Sequence, residues 1–342
     1  MQLARTRARS VTIGRLLRRS SIPLAAMSLA LAAAGCHVPG TSSGSVLPSG
    51  QTLTVAVVPG IDTVPLQVAG QQGLFKQQGV SVTIRDYASV FDAYNALTHG
   101  KVDVAEGDYT SFFFGIANRG AQLKLVADGY DASAGTMQVL ALPSSGINSP
   151  GQLAGKTVGT PEAQVAPFSN TFPYSMDTLA TETVLQTEGV SPAGITWDEM
   201  PENKLLTALK DHQVNAIVAT DPLIIEAETQ LGAQEVLDAC SGVTANLPLS
   251  GYFSTVSYAG QHTAALQAFQ TALTTAESDS GMRSNVQSVL RGEDMSSLYA
   301  DLVNIGQYPS FLNVGQIERI AELMYDSGMI ISPVEVQSLL VK

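Results

Sequence analysis

The sequence has few residues of the kinds that form metal sites, redox sites and disulfides. Its 342 residues contain two cysteines, one tryptophan and four histidines. The histidines have no metal-ligand spacing, and the motifs Cys-x-x-Cys and His-Glu-x-x-His are absent. Ser144, Ser145 and Ser169 lack the Gly-x-Ser-x-Gly context of a hydrolase nucleophile. We therefore expect no metal and no other cofactor.

Basic residues are concentrated at the amino terminus. Six of the 18 Lys and Arg residues lie within residues 1–19, and an apolar run from Ile22 to Ala34 follows them. This layout predicts a secretory signal over residues 1–35. The sequence Ala33-Ala34-Gly35-Cys36 resembles a bacterial lipobox, in which Cys36 becomes the lipidated first residue of the mature protein. We therefore expect an extracytoplasmic protein that lipidated Cys36 anchors to the cell membrane.

Other interpretations of this segment stay open. It could be an ordinary cleaved signal or an uncleaved anchor, although the apolar run is shorter than the roughly 20 residues of a membrane-spanning helix. The pair Arg18-Arg19 leaves twin-arginine export open beside the general secretory route.

Positive charge is scarce in the rest of the chain. Residues 36–342 hold 12 of the 18 Lys and Arg residues and all 30 Asp and Glu residues, a formal net charge of −18. Such a surface repels nucleic acid and anionic lipid, so we exclude a nucleic-acid partner. Lipidation of Cys36 would leave Cys240 as the one remaining thiol, which we expect to be buried and without a disulfide. These 307 residues are long enough for two lobes.

Short β-branched segments alternate with amphipathic ones after a flexible tether at residues 36–51, which is rich in Gly, Ser and Pro. The alternation predicts βαβ units on largely parallel sheets. Glycines 79, 100, 189 and 232 follow helical segments and fit left-handed helix caps. Helical patterns dominate after Gly260. The predicted strands are 53–58, 80–87, 102–105, 123–127, 137–142, 157–159, 195–197, 215–219 and 235–237.

Five motifs resemble, in order, those of one transport family. Residues 73–84 (GLFKQQGVSVTI) fit its G-x-F-x-x-x-G-h-x-V segment, where h is apolar. The chain is thereby similar to solute-binding proteins of ABC importers for nitrate, sulfonates, taurine and thiamine-pyrimidine precursors. The other four segments are 96–105 (ALTHGKVDVA), 149–159 (SPGQLAGKTVG), 206–217 (LTALKDHQVNAI) and 326–335 (DSGMIISPVE).

The resemblance implies an α/β fold of the periplasmic-binding-protein type II, in which two lobes with mixed, mainly parallel sheets are joined by two crossing segments. Lobe 1 would comprise residues 52–138 and 246–342, and lobe 2 residues 139–245. The crossings would lie near 136–141 and 243–251. A small solute would bind between the lobes of a monomer, which would deliver it to membrane permease subunits.

Polar side chains follow the predicted strands, where ligands bind in open α/β sheets. The same side chains are preferred helix caps, so each could equally be structural. Tyr109, Tyr130 and Tyr174 could stack on a ligand or pack in the core, and Gly107 could admit a ligand or form a turn. Trp197 is expected to pack. The candidate ligand-binding residues are Asp62, Thr63, Asp108, Tyr109, Thr110, Tyr130, Thr160, Glu162 and Asp221.

The charge of these loops bears on the ligand. They carry acidic residues and no Lys or Arg, which favours a neutral or cationic ligand such as an amine or amino-heterocycle. The acidic residues are Asp62, Glu106, Asp108, Asp131, Glu162 and Asp221.

Two other functions stay open. The same fold also hosts enzymes of the pyrimidine-synthase and dehydratase types, and a lipoprotein that senses a ligand for a membrane kinase would have a similar sequence. Because no catalytic motif is present, we expect a binding protein and not an enzyme.

Overall fold

The computed structural model describes residues 50–162, 175–279, 282–292 and 297–341. The predicted signal at 1–35, the candidate lipidation site Cys36 and most of the predicted tether lie outside the described residues. The first strand begins at Gln51, the last residue of that tether.

Ten strands in the described ranges form two sheets of five strands each. The first sheet has the order β2-β1-β3-β10-β4, and the second has the order β7-β6-β8-β5-β9. The strands are β1 (Gln51–Val57), β2 (Val80–Asp86), β3 (Val104–Asp108), β4 (Leu123–Asp131), β5 (Met137–Ala141), β6 (Thr157–Pro161), β7 (Thr196–Met200), β8 (Ala216–Thr220), β9 (Gln234–Asp238) and β10 (Pro248–Thr255).

Each sheet contains one strand that runs against the others. In the first sheet β10 is antiparallel to both β3 and β4, and in the second β5 is antiparallel to both β8 and β9. The remaining four strands of each sheet point the same way. The predicted α/β fold with mixed, mainly parallel sheets is thereby confirmed.

Nine of the ten strands coincide with predicted segments, and β10 is the exception. Its sequence starts with Pro248 and has Gly251 at its centre, two residues that normally weaken a strand. Gly251 is required by packing, because a Cβ atom there would lie 2.8 Å from the Tyr109 hydroxyl. Gly251, which makes this strand hard to predict from the sequence, is therefore explained by close contact with Tyr109 of α4.

Helices cover both sheets and form most of the carboxy-terminal part, as the sequence predicted. None of the described helices is both long enough and apolar enough to cross a bilayer. The helices are α1 (Val64–Gln71), α2 (Leu74–Gln77), α3 (Val90–Thr98), α4 (Tyr109–Arg119), α5 (Met176–Thr187), α6 (Glu202–Lys210), α7 (Leu223–Leu231), α8 (Val256–Gln261), α9 (Thr263–Glu277), α10 (Met282–Gly292), α11 (Ser297–Leu302), α12 (Val314–Asp326) and α13 (Val336–Leu339).

Local signals explain where several helices begin and end. The carboxylate of Asp108 accepts a hydrogen bond from the Ser111 N–H at 2.6 Å and caps α4. The predicted glycine caps are confirmed, because Gly79, Gly100, Gly189 and Gly232 all have φ between 66° and 81°.

Aromatic rings and the carboxy-terminal helices hold the first sheet. Phe112 of α4 stacks on Phe253 of β10 with ring centroids 4.1 Å apart, and Phe75 stacks on Phe269 of α9 at 5.4 Å. The end of the chain returns to this sheet, where Lys124 donates to the Ser338 carbonyl at 2.6 Å.

The chain passes between the two sheets at residues 132–136 and again at 239–247. Hydrogen bonds connect the start of each passage with the residues at the end of the other. The Ala132 N–H donates to the Leu247 carbonyl at 2.8 Å, and the Ala239 N–H donates to the Met137 carbonyl at 2.9 Å. The two passages therefore lie side by side.

Gly107 of β3 is a position where only glycine fits. A Cβ atom there would lie 2.6 Å from a methyl of Val90 and 2.8 Å from the Phe112 ring. We predict that Gly107→Ala lowers the free energy of unfolding by about 1–3 kcal/mol, the usual cost of overpacking a core. Urea denaturation measures this loss. The matched control is Gly70→Ala at an exposed position of α1, where no atom lies within 4 Å of the added methyl and stability should not fall. Equal effects of both substitutions would contradict the packing argument.

Candidate binding site

A cavity of about 540 Å³ lies where the carboxyl ends of strands from both sheets meet. The loops after β1, β6 and β8 reach it, as do the end of β3, the first turn of α4 and the first residues of the antiparallel strands β5 and β10. Residues at the starts of α5 and α6 also line it, together with Tyr130, Leu290, Val303 and Asn304. This is the edge at which ligands bind in open α/β sheets, and the volume suits a small organic molecule.

Five of the nine predicted site residues line this cavity. They come from both sheets, although they are far apart in the sequence, and whether they bind a ligand stays a prediction. The five are Asp62, Asp108, Tyr130, Glu162 and Asp221.

The other four candidates are buried and do not belong to the described lining. The Thr63 hydroxyl donates to the Gly60 carbonyl at 2.9 Å, and the Thr110 hydroxyl donates to the Asp108 carboxylate. The Tyr109 hydroxyl donates to Asp128 at 2.8 Å, and the Thr160 hydroxyl lies 3.4 Å from that of Thr178. Each of the four therefore has a structural partner.

Asp108 uses its carboxylate within the protein. It accepts hydrogen bonds from the Ser111 N–H and the Ser111 hydroxyl, each at 2.6 Å, and from the Thr110 hydroxyl. These donors belong to the first turn of α4, whose positive dipole end points toward the cavity edge. The Asp108 carboxylate thus accepts the hydrogen bonds that Thr110 and Ser111 could otherwise donate to a bound anion.

Asp62 and Glu106 form a carboxyl pair at the first sheet. Glu106 is 1% exposed, and burial together with the neighbouring Asp62 carboxylate raises its pKa well above the ordinary value. Burial also raises the pKa of Asp62. Ser250 of β10 interacts with both carboxyls and stabilises their charged forms. The pair therefore retains a proton more readily than two exposed acids would.

The second sheet contributes further acids. Burial, with Glu202 nearby, raises the pKa of Asp177 to about 7. Burial also raises the pKa of Glu202 and that of Asp221. One oxygen of Asp221 accepts the Asn304 N–H at 2.6 Å, and the other is buried without a partner among the described residues. Carboxylates thus face the cavity from this side, and no Lys, Arg or His in the described lining compensates their charge.

Several lining residues were not predicted from the sequence. Leu249 and Ser250 lie on β10, the strand that was not predicted from the sequence. Asn304 belongs to the helical carboxy-terminal part, where no strand was predicted and so no strand end could indicate a site. Asp177 could have been found, because Ser175 precedes it as a helix cap and accepts the Thr178 N–H at 3.1 Å.

Four other residues singled out in the sequence lie elsewhere. Gly107 admits no ligand, since side chains fill the space beside it. Trp197 packs against the core, as expected, and Tyr174 lies outside the described residues. Cys240 is buried, as predicted, with 2% of its surface exposed, and burial raises its pKa to about 12.

The two sheets and the cavity between them define a protein with the fold of the periplasmic binding proteins. A family model described as NMT1/THI5 like matches residues 61–279. The chain belongs to this family, and the resemblance inferred from the sequence is confirmed. No curated protein sequence matches the chain.

Solved structures share the fold at low sequence identity. The alkanesulfonate-binding protein SsuA from Xanthomonas axonopodis pv. citri, bound to MOPS, is 16% identical with a TM-score of 0.67 over 86% of this chain and 99% of that one. The periplasmic nitrate-binding protein NrtA from Synechocystis PCC 6803 is 11% identical with a TM-score of 0.66 over 84% of each chain. The desulfurization enzyme DszB is 14% identical with a TM-score of 0.63 over 85% of this chain and 96% of that one.

Asp177 offers a direct test of the electrostatics of the cavity. We predict that it titrates with a pKa of about 7 in carboxyl-detected NMR. Because this value exceeds that of the unfolded chain, the folded protein binds more protons between about pH 4 and about pH 7, and stability falls as pH rises through that window. Asp177→Asn should make the fall shallower in urea denaturation, whereas the exposed control Asp211→Asn should not. An Asp177 pKa near 4 would contradict the description.

Proposed function

We propose that the protein is the extracytoplasmic solute-binding component of an ABC importer, which captures a small organic nutrient. The observation that carries this proposal is the cavity of about 540 Å³, whose walls come from both sheets. Membership of the NMT1/THI5 like family supports it, as does the fold shared with sulfonate-binding and nitrate-binding proteins.

Two lobes would close around the solute. We assign residues 52–138 and 246–342 to lobe 1 and residues 139–245 to lobe 2. The passages at 132–136 and 239–247 are short and bonded side by side, which suits a hinge that bends while each sheet stays rigid.

Two hydrogen bonds between the assigned lobes suit a closed state. The carboxylate of Asp221, at the end of β8, accepts the backbone N–H of Asn304 at 2.6 Å. The Gln230 amide of α7 donates to the Tyr299 hydroxyl of α11 at 3.3 Å. Both bonds join the assigned lobe 2 to the carboxy-terminal part of lobe 1, so opening would break them.

The cellular arrangement follows from the sequence. We propose that the signal at 1–35 is removed, that Cys36 carries the lipid and that residues 36–51 form the tether. The anchored monomer would present its closed form to the permease subunits. A sensor for a membrane kinase would have the same architecture, and neighbouring genes for a permease and an ATPase would favour import.

An enzyme is the second candidate, because DszB has a similar fold. The described cavity lining favours binding over catalysis, since it contains no Cys, His or Lys. Cys240 is separated from solvent, and its raised pKa disfavours the thiolate. Turnover of a solute added to the purified protein would favour the enzyme.

Solute binding should bring the lobes together. We predict that a solute that raises the melting temperature also shortens the distance between spin labels at Lys101→Cys and Lys210→Cys, one exposed site in each assigned lobe. A solute at about 100 times its Kd adds about 2.7 kcal/mol to stability. The control pair Lys76→Cys and Lys101→Cys lies within lobe 1, so its distance should not change. Binding that leaves the interlobe distance unchanged would contradict closure.

A further inference from the structure

We infer that the cavity takes a small organic cation with an ammonium or amidinium group. This inference rests on the proposed binding function and goes beyond it, because it names the class of ligand. It separates this chain from the sulfonate-binding and nitrate-binding proteins that share its fold.

The first observation is the charge of the walls. Six carboxyl side chains line the cavity, and its described lining contains no Lys, Arg or His. Within the described residues, no basic side chain lies within ion-pairing distance of the six. Two acids come from the first sheet and four from the second, so a ligand between the sheets meets negative charge on both sides. The six are Asp62, Asp108, Glu162, Asp177, Glu202 and Asp221.

The second observation is the state of the hydrogen-bond donors. An anion in such a cavity would need free N–H or O–H groups at helix starts. Asp108 already occupies the Ser111 donors of α4, and Ser175 caps the Thr178 N–H of α5. Asp221 accepts the Asn304 N–H. These four donors, which could attract an anion, are therefore satisfied by the protein itself.

The third observation is an acceptor that lacks a donor. One oxygen of Asp221 is buried and has no hydrogen-bond partner among the described residues. An unpaired buried carboxylate oxygen is costly, and an ammonium or amidinium group supplies both the hydrogen bond and the opposite charge.

Apolar groups in the same cavity indicate an organic ligand. The Tyr130 ring, Met137, Met176 and Leu249 lie beside the carboxyls and offer surfaces for a hydrocarbon or aromatic body. No group of three or more His, Cys, Asp or Glu side chains in the described residues could hold a metal ion. A bare divalent cation is therefore a poorer match than an organic one.

Burial of these acids fits the same conclusion. Burial raises the pKa of Asp62, Asp177, Glu202 and Asp221, as expected for acids with no positive partner in the described part of the chain. A bound cation would stabilise their charged forms, and a bound anion would meet further repulsion.

The test compares probes of one shape and three charges. Benzamidinium, benzamide and benzoate, and likewise butylammonium, butanol and butanesulfonate, are titrated into the purified protein by calorimetry and thermal shift. We expect at least one cation to bind about tenfold or more tightly than its neutral and anionic counterparts. Tighter binding of a neutral or anionic probe would overturn the inference and leave the binding function intact. Absence of binding by any probe, and by nutrients of all three charges, would overturn both.

Substitutions locate the cation. Asp62→Asn and Asp177→Asn each remove one negative charge at nearly constant shape, from the first and the second sheet respectively. Each should weaken binding of the cationic probe by about tenfold, and a thermal melt without probe checks that each variant is folded. The control Asp211→Asn, in an exposed position beyond α6 and outside the lining, should bind like the unsubstituted protein. Unchanged affinity in both cavity variants would show binding elsewhere and overturn the inference.

Discussion

The central constraint on this protein is the burial of carboxyl groups that meet, without positive partners among the described residues, at the cavity between two sheets. Folding brings Asp62, Asp177 and Asp221 together although charged groups of one sign disfavour a shared, partly buried site. Burial raises the pKa of all three, and nearby acidic side chains add to the shift of Asp177 and of Asp221. A protein that keeps such an arrangement has a cavity suited to positive charge.

The rest of the fold supports this arrangement. Parallel strands deliver their carboxyl ends to one edge of each sheet, and the reversed strands β5 and β10 bring their first residues to the same edge. Packing fixes the positions, because Gly251 of β10 leaves room for the Tyr109 ring, whose hydroxyl is bonded to Asp128. The chain passes between the sheets at 132–136 and at 239–247, and the cavity lies where the edges of both sheets meet.

The sequence predicted the sheets well and the site in part. Asp62, Asp108, Glu162 and Asp221 lie at the cavity, as predicted from their positions at the carboxyl ends of strands. This prediction was possible because the carboxyl ends of parallel strands meet at one edge of a sheet, where ligands bind. Tyr109 was harder, because only the packing of α4 decides that its ring turns to the core. Ser250 and Asn304 could not be found, since β10 resembles a loop and the helical tail reaches the cavity only through tertiary contacts.

Anomalous diffraction from crystals soaked in caesium or in iodide tests the sign of the cavity most directly. These ions have one charge each and opposite sign, so their distribution reports the electrostatic field of the walls. The account predicts caesium between Asp62 and Asp177 and no iodide in the cavity. Iodide in the cavity, or a cavity that excludes caesium, would contradict it.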